Sequence, residues 1–158
     1  MKRIYIVVSL CVLLLSGGCA PLAGSRPLIG ATADVAVAEA ALTFRARVDS
    51  GAHTCSVHAE DIRVENGAPD PAGNVGKPVA FTLVSPDGRR IPMTLPVAGV
   101  STVRTSEGSE RRYQVELTLE TGGVSKRVRV NLNDRARMTY KMLLGRNFLS
   151  GWLIDVDR

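Results

Sequence analysis

From Leu42 onward apolar and polar side chains alternate. Leu42, Phe44, Ala46 and Val48 fall on one face and Arg45 and Arg47 on the other, the period of a half-buried strand that ends at Asp49. Residues 79–84 and 91–95 form two further apolar runs, and Ser85-Pro86-Asp87-Gly88 between them has the residues of a hairpin turn. Tyr113, Val115, Leu117 and Leu119 alternate with Gln114, Glu116, Thr118 and Glu120. Thr121-Gly122-Gly123 turns that strand into 124–132, where Val124, Val128 and Val130 continue the apolar face. A strand over 97–104 precedes it across the polar stretch 105–110. The Gly/Pro-rich interval 66–78 reads as a surface loop, and the Ala/Val-rich stretch 31–41 fits a short helix as well as an edge strand. Near the end, Met142-Leu143-Leu144-Gly145 leads into 146–151, enough for one or two helical turns, and 152–156 is a last strand. Short strands at regular spacing with Gly-rich turns predict an all-β domain, a small closed barrel or sandwich with one short C-terminal helix.

The N-terminus has another character. Lys2 and Arg3 precede an apolar run over 4–15 broken only by Ser9, too short to cross a bilayer as a finished helix and patterned as a secretory signal. The run closes on Leu15-Ser16-Gly17-Gly18-Cys19, where small residues precede a cysteine that lipid can modify after cleavage, as in bacterial lipoprotein signals. Ordinary cleavage nearby would instead leave Cys19 as a free thiol. Pro21, Gly24, Pro27 and Gly30 suit a tether. The expected division is therefore a lipoprotein signal peptide over 1–18, a lipidated tether over 19–41 and a folded domain over 42–158. The expected location is the cell envelope, anchored to a membrane through lipid on Cys19 and facing the periplasm. Ala20 supplies no acidic retention cue, which favours the outer membrane in a Gram-negative host.

The chain of 158 residues holds one domain. Its 20 Lys+Arg exceed 15 Asp+Glu for a net charge of +5, but two of the basic residues leave with the signal. No Lys/Arg cluster is interleaved with aromatics, so nucleic acid is not an expected partner. Cys11 also leaves with the signal and Cys19 is expected to carry lipid, which would leave Cys55 without a disulfide partner and the fold resting on its core. His53, Cys55 and His58 have metal-binding atoms, but an extended chain puts His53 and Cys55 on one face and His58 on the other. A His-Glu-x-x-His helix is absent. Gly76-Lys77 is followed by Pro78 and preceded by Pro71 where a phosphate-binding loop needs its first glycine. No metal, ATP or other cofactor is expected.

The densest candidate chemistry is Val48-Asp49-Ser50-Gly51-Ala52, a carboxylate at the end of an apolar strand followed by a hydroxyl and a glycine. Alone this is ordinary turn chemistry. Read with Met142-Leu143-Leu144-Gly145-Arg146-Asn147-Phe148-Leu149 in an otherwise all-β chain, it resembles the retropepsin-like aspartic peptidases. In that family a hydrophobic strand delivers Asp-Ser/Thr-Gly-Ala to the domain centre, a hairpin flap follows, and a hydrophobic-hydrophobic-Gly-Arg segment opens a short helix. Residues 48–59, Leu132-Asn133-Asp134-Arg135 and 142–149 are similar to one bacterial branch, often labelled ATP-dependent zinc proteases of the RimK-associated type; the resemblance spans 44–156. It implies a small closed retropepsin-like β-barrel acting on peptide or protein substrates, with Asp49 catalytic. Ser50, Gly51 and Ala52 would support the catalytic loop, Gly145 would pack close behind Asp49, and Arg146 would tie the helix to its surroundings.

Hydrolysis of a peptide by water alone needs one group to take a proton and another to give one, and two carboxylates sharing a proton do both. A single Asp-Ser-Gly supplies half of such a site, so a two-fold homodimer would bring two copies of Asp49 together. Retroviral-type members follow the alanine with an acidic pair that engages the arginine, whereas here His53-Thr54-Cys55 follows, leaving Glu60 or Asp61 as expected partners of Arg146. The flap falls on the 105–110 hairpin, with Arg104, Thr105, Ser106, Gly108 and Arg111 toward substrate; the 85–90 turn is the alternative. A reading of another class is a peptide-binding or scaffolding lipoprotein that keeps the fold without turnover.

Overall fold

A computed structural model describes residues 26–105 and 108–158. The signal segment, Cys19 and Ser106 lie outside the described residues. The strands are β1 (Leu28–Ile29), β2 (Thr32–Val37), β3 (Leu42–Val48), β4 (Cys55–Val64), β5 (Pro78–Val84), β6 (Arg90–Pro96), β7 (Gly99–Thr105), β8 (Gly108–Thr121), β9 (Val124–Asn133), β10 (Met142–Leu144) and β11 (Leu153–Ile154), with the helix α1 (Arg146–Leu149) between the last two. The fold is all-β with one short C-terminal helix, as the alternation predicts.

One sheet runs β10-β3-β2-β8-β9-β4-β5-β6, and β10 also pairs with β4. That second pairing brings the sheet back on itself in an uneven ring, because β10 contributes only three residues. β4 changes partners along its length. Its first half lies between β9 and β10, and from Ala59 onward it pairs with β5, a pairing interrupted by a register shift between Glu60 and Arg63 with Asp61 in the left-handed region at φ 54°.

The core fills the ring. Leu42, Phe44, Val57, Leu117, Met142 and Phe148 are each completely buried. Burial of one such side chain contributes roughly 1.5–3 kcal/mol.

The folded domain begins earlier than Leu42. β2 pairs along its whole length with β3 and meets β8 through Ala36 and Val37, so it is an interior strand. Val35 and Val37 are fully buried, while small alanines between and before them weaken the alternation by which a strand is read. Ala41, at φ 49°, makes the tight return into β3. β1 lies parallel to β11, joining the two ends of the domain. The strands of the hairpin expected to turn over 105–110 extend further than expected, with Thr105 paired to Gly108.

Candidate active site

β10 is inserted between β3 and β4, parallel to the first and antiparallel to the second. Leu144 sits beside Val48, so the chain leaves β3 with the Asp49 N–H donating to the Leu144 carbonyl at 3.0 Å. Asp49 Oδ1 then accepts from the N–H groups of Gly51 at 3.0 Å and Ala52 at 3.2 Å, which fixes the half-buried carboxylate over its own loop. Among the described residues no protein donor reaches Oδ2. The Ala52 and His53 carbonyls accept from the N–H groups of Arg146 and Asn147 at 2.9 and 3.2 Å, so the unpaired donors of the first turn of α1 are laced to the Asp49 loop.

Gly145 is dictated by space. A Cβ there would lie 2.6 Å from the Thr54 carbonyl carbon, 2.8 Å from its oxygen and 2.9 Å from the Cys55 nitrogen, all backbone atoms. The glycine therefore packs on the chain entering β4 rather than on Asp49 itself. At Gly51 a Cβ would meet only Asp49 Oδ1, at 3.2 Å. Ser50 is exposed and Ala52 half-buried. Arg146 is exposed and its backbone alone ties α1 to the loop. Its expected partners are taken: Arg90, at the start of β6, reaches across β5 to Glu60 at 2.7 Å and Asp61 at 3.5 Å.

Four residues with no assigned role in the sequence reading complete the site. Asn147 Oδ1 accepts from the Cys55 N–H at 3.0 Å and from the Cys55 thiol at 3.2 Å, and its Nδ2 donates to the Arg129 carbonyl at 2.7 Å. Cys55 Sγ in turn accepts from the Gly145 N–H at 3.3 Å. Burial pushes this thiol up to about 11, which keeps it a neutral packing group. The other two are His58 and Arg135. The Arg135 N–H donates to His58 Nδ1 at 3.0 Å and its Nε to the Tyr140 carbonyl at 3.0 Å.

Strand register explains why polar groups gather here. Arg47, Leu143, Ser56, Asn131 and Gln114 are successive partners across β3, β10, β4, β9 and β8, and so share the face turned away from the core. Ser56, Asn131 and Gln114 are nevertheless buried, and Gln114 Nε2 and Ser101 Oγ both donate to Asn131 Oδ1, at 3.1 and 2.6 Å. Over the β10 end of this face the segment after β9 folds back and borders an open cavity of about 290 Å³ lined by Arg47, Asp49, Arg135, Met138, Thr139, Tyr140 and Leu143. Arg135 is only 8% exposed. Burial and the nearby Arg112 charge hold its guanidinium below the ordinary arginine value, while Asp49 pulls the other way.

The remaining expected residues are spread more widely. Arg104 is exposed on β7, and Arg111 pairs with Asp70 at 2.5 Å. Asp70 is held below the usual carboxylate range first by the Ala72 N–H and then by Arg111. Gly108 opens β8 at φ 135°, a conformation that favours glycine. Of Thr105 only the backbone is described. His53 does not share a face with Cys55: it is exposed in a bend before β4 starts, whereas Cys55 and His58 are buried within the strand. Among the described residues no three His, Cys, Asp or Glu side chains converge as a metal site.

The model of the RimB-like family, described as retropepsin-like aspartic endopeptidase RimB, matches residues 28–158. The chain belongs to this family. The match begins where β1 begins and takes in both the Asp49 loop and the Gly145-Arg146 turn. Among curated relatives, a "Probable alpha-L-glutamate ligase" of Shewanella pealeana is 37% identical over 112 residues, and one of Shewanella halifaxensis is 36% identical over 112. Each alignment covers 68% of this chain and 23% of the relative, so this RimB-like chain spans about a quarter of the length of those ligases. A crystal structure of a protein of unknown function (DUF785) from Legionella pneumophila superposes with a TM-score of 0.68 at 23% identity, covering 85% of this chain and 96% of that one. The same fold is present in both.

Proposed function

We propose that this RimB-like chain is an envelope-anchored aspartic endopeptidase that works as a homodimer, with two Asp49 carboxylates sharing a proton and activating water between them. One observation carries the reading. Asp49 is held through Oδ1 by two backbone N–H groups, with Oδ2 free of protein donors among the described residues, at the wall of a cavity in a fold whose family is named for this chemistry. One carboxylate of the pair takes a proton from water as the other, protonated, gives one to the departing amide nitrogen. The β7–β8 hairpin is the flap on this reading. An extended peptide would lie beneath it with strand-like hydrogen bonds.

Support for the dimer comes from the pair β1 and β11, where Leu28, Leu153 and Ile154 are 48%, 50% and 38% exposed and Val156 beyond them 75%. An apolar cluster of this kind at the joined chain ends suits a self-complementary contact. Anchoring rests on the signal pattern ending at Cys19. Arg47 and Arg135 in the cavity favour peptides with acidic side chains beside the cut bond. The name of the Shewanella ligases, which concerns glutamate, agrees with that preference.

Asp49→Asn should abolish cleavage of acidic peptides and leave the thermal midpoint within a few degrees of wild type. Cleavage retained by Asp49→Asn would rule the proposal out. A chain that stays monomeric and cuts nothing would instead be a peptide-binding module, since one Asp49 lacks its acid–base partner.

A further inference from the structure

We propose that His58 is a positioning residue whose protonation unclasps residues 134–141 and so opens the wall of the Asp49 cavity. Its consequence for cleavage rests on the peptidase reading; the unclasping itself does not.

His58 is 2% exposed, on the first half of β4. Its Nδ1 accepts the Arg135 N–H at 3.0 Å, so in this arrangement Nδ1 carries no proton. The ring proton is then on Nε2, which faces Glu60 Oε1 at 3.3 Å. The imidazole is neutral, and a proton taken up from solvent must go to Nδ1. There it meets a backbone donor instead of an acceptor, and the Arg135 bond is lost. The nearest acceptor is Asp134 Oδ1 at 3.7 Å, which now accepts the Ala136 N–H at 2.8 Å. A second proton on the ring therefore exchanges the Arg135 bond for a carboxylate contact and pulls at both ends of one turn.

The charged groups that face the ring are Glu60 on β4, at 3.3 Å from Nε2, and Asp134 beyond β9, at 3.7 Å from Nδ1; Arg90 of β6 engages Glu60 at 2.7 Å. Lys141, whose carbonyl accepts the His58 N–H at 2.7 Å, decides what moves. Its Nζ donates to the carbonyls of Arg135, Ala136 and Met138 at 3.2, 2.5 and 3.1 Å, strapping the segment into one body. Release of the Arg135 N–H therefore shifts Arg135 and Tyr140 together, and both line the cavity beside Asp49. The imidazole is in this way linked to the site without touching substrate.

The test is heteronuclear NMR on the labelled full chain from about pH 5.5 to 8, following the His58 ring nitrogens and the backbone amides of Arg135 and Tyr140. The amides should move with the midpoint of the ring nitrogens. They should stay still in His58→Asn, whose side-chain oxygen keeps an acceptor near the Nδ1 position, and should still move in Asp49→Asn. Asp134→Asn should lower the midpoint, which tests the same exchange if His58→Asn does not fold. For cleavage, KM should rise about tenfold on the acid side in wild type and not in His58→Asn, the size of one lost hydrogen bond. A ring that titrates without moving the Arg135 amide, or does not titrate in this range, overturns the proposal. If no peptide is cut at any pH the peptidase reading falls, and the amide shifts still decide the role of His58.

Discussion

At the scale of single residues, the site depends on a few atoms with no slack. Gly145→Ala would drive a Cβ into the backbone of Thr54 and Cys55, so a loss of about 3 kcal/mol in denaturant unfolding is expected. Asn147→Leu should cost about 2–3 kcal/mol by stripping partners from the Cys55 N–H and the Arg129 carbonyl. Cys55 gives a pH dependence with a definite sign. Its thiol is raised from 9.0 to about 11, so the unfolded chain loses this proton first and stability falls as pH rises through that window, by about 1.4 kcal/mol per unit. Urea unfolding between these two values should show the slope, and Cys55→Ala should flatten it. Asp49 and Gly145 were legible in the sequence because their neighbours form recognisable motifs. Arg135 was not assigned a role, since a basic residue in a polar stretch reads as solvated until the fold places it 8% exposed against His58.

At the scale of elements, legibility followed burial on two faces. β3, β5, β8 and β9 show alternation because one face of each meets the core and the other is more open, and their boundaries were read to within a few residues. β4 shows none. Cys55, Ser56, Val57, His58 and Ala59 are all buried, so polar residues sit inside and the period disappears. β2 was blurred by its alanines. It is nonetheless needed: a chain starting at Leu42 would leave the edges of β3 and β8 unpaired, and should be insoluble or lack a cooperative thermal transition, whereas one starting at Arg26 should unfold in a single step. Circular dichroism melts of the two fragments check this.

At the scale of the molecule, one chain carries one Asp-Ser-Gly loop, and under the proposed mechanism a second copy would supply the other carboxylate. The apolar residues of β1 and β11 are the surface on which that copy would sit. Whether two Asp49 carboxylates act together is measured most directly by cleavage of an acidic peptide by wild type mixed with increasing fractions of Asp49→Asn at constant total protein. With exchange of subunits complete, activity should fall as the square of the wild-type fraction and vanish for Asp49→Asn alone. A linear fall, or cleavage that persists in Asp49→Asn alone, would contradict the paired-carboxylate mechanism.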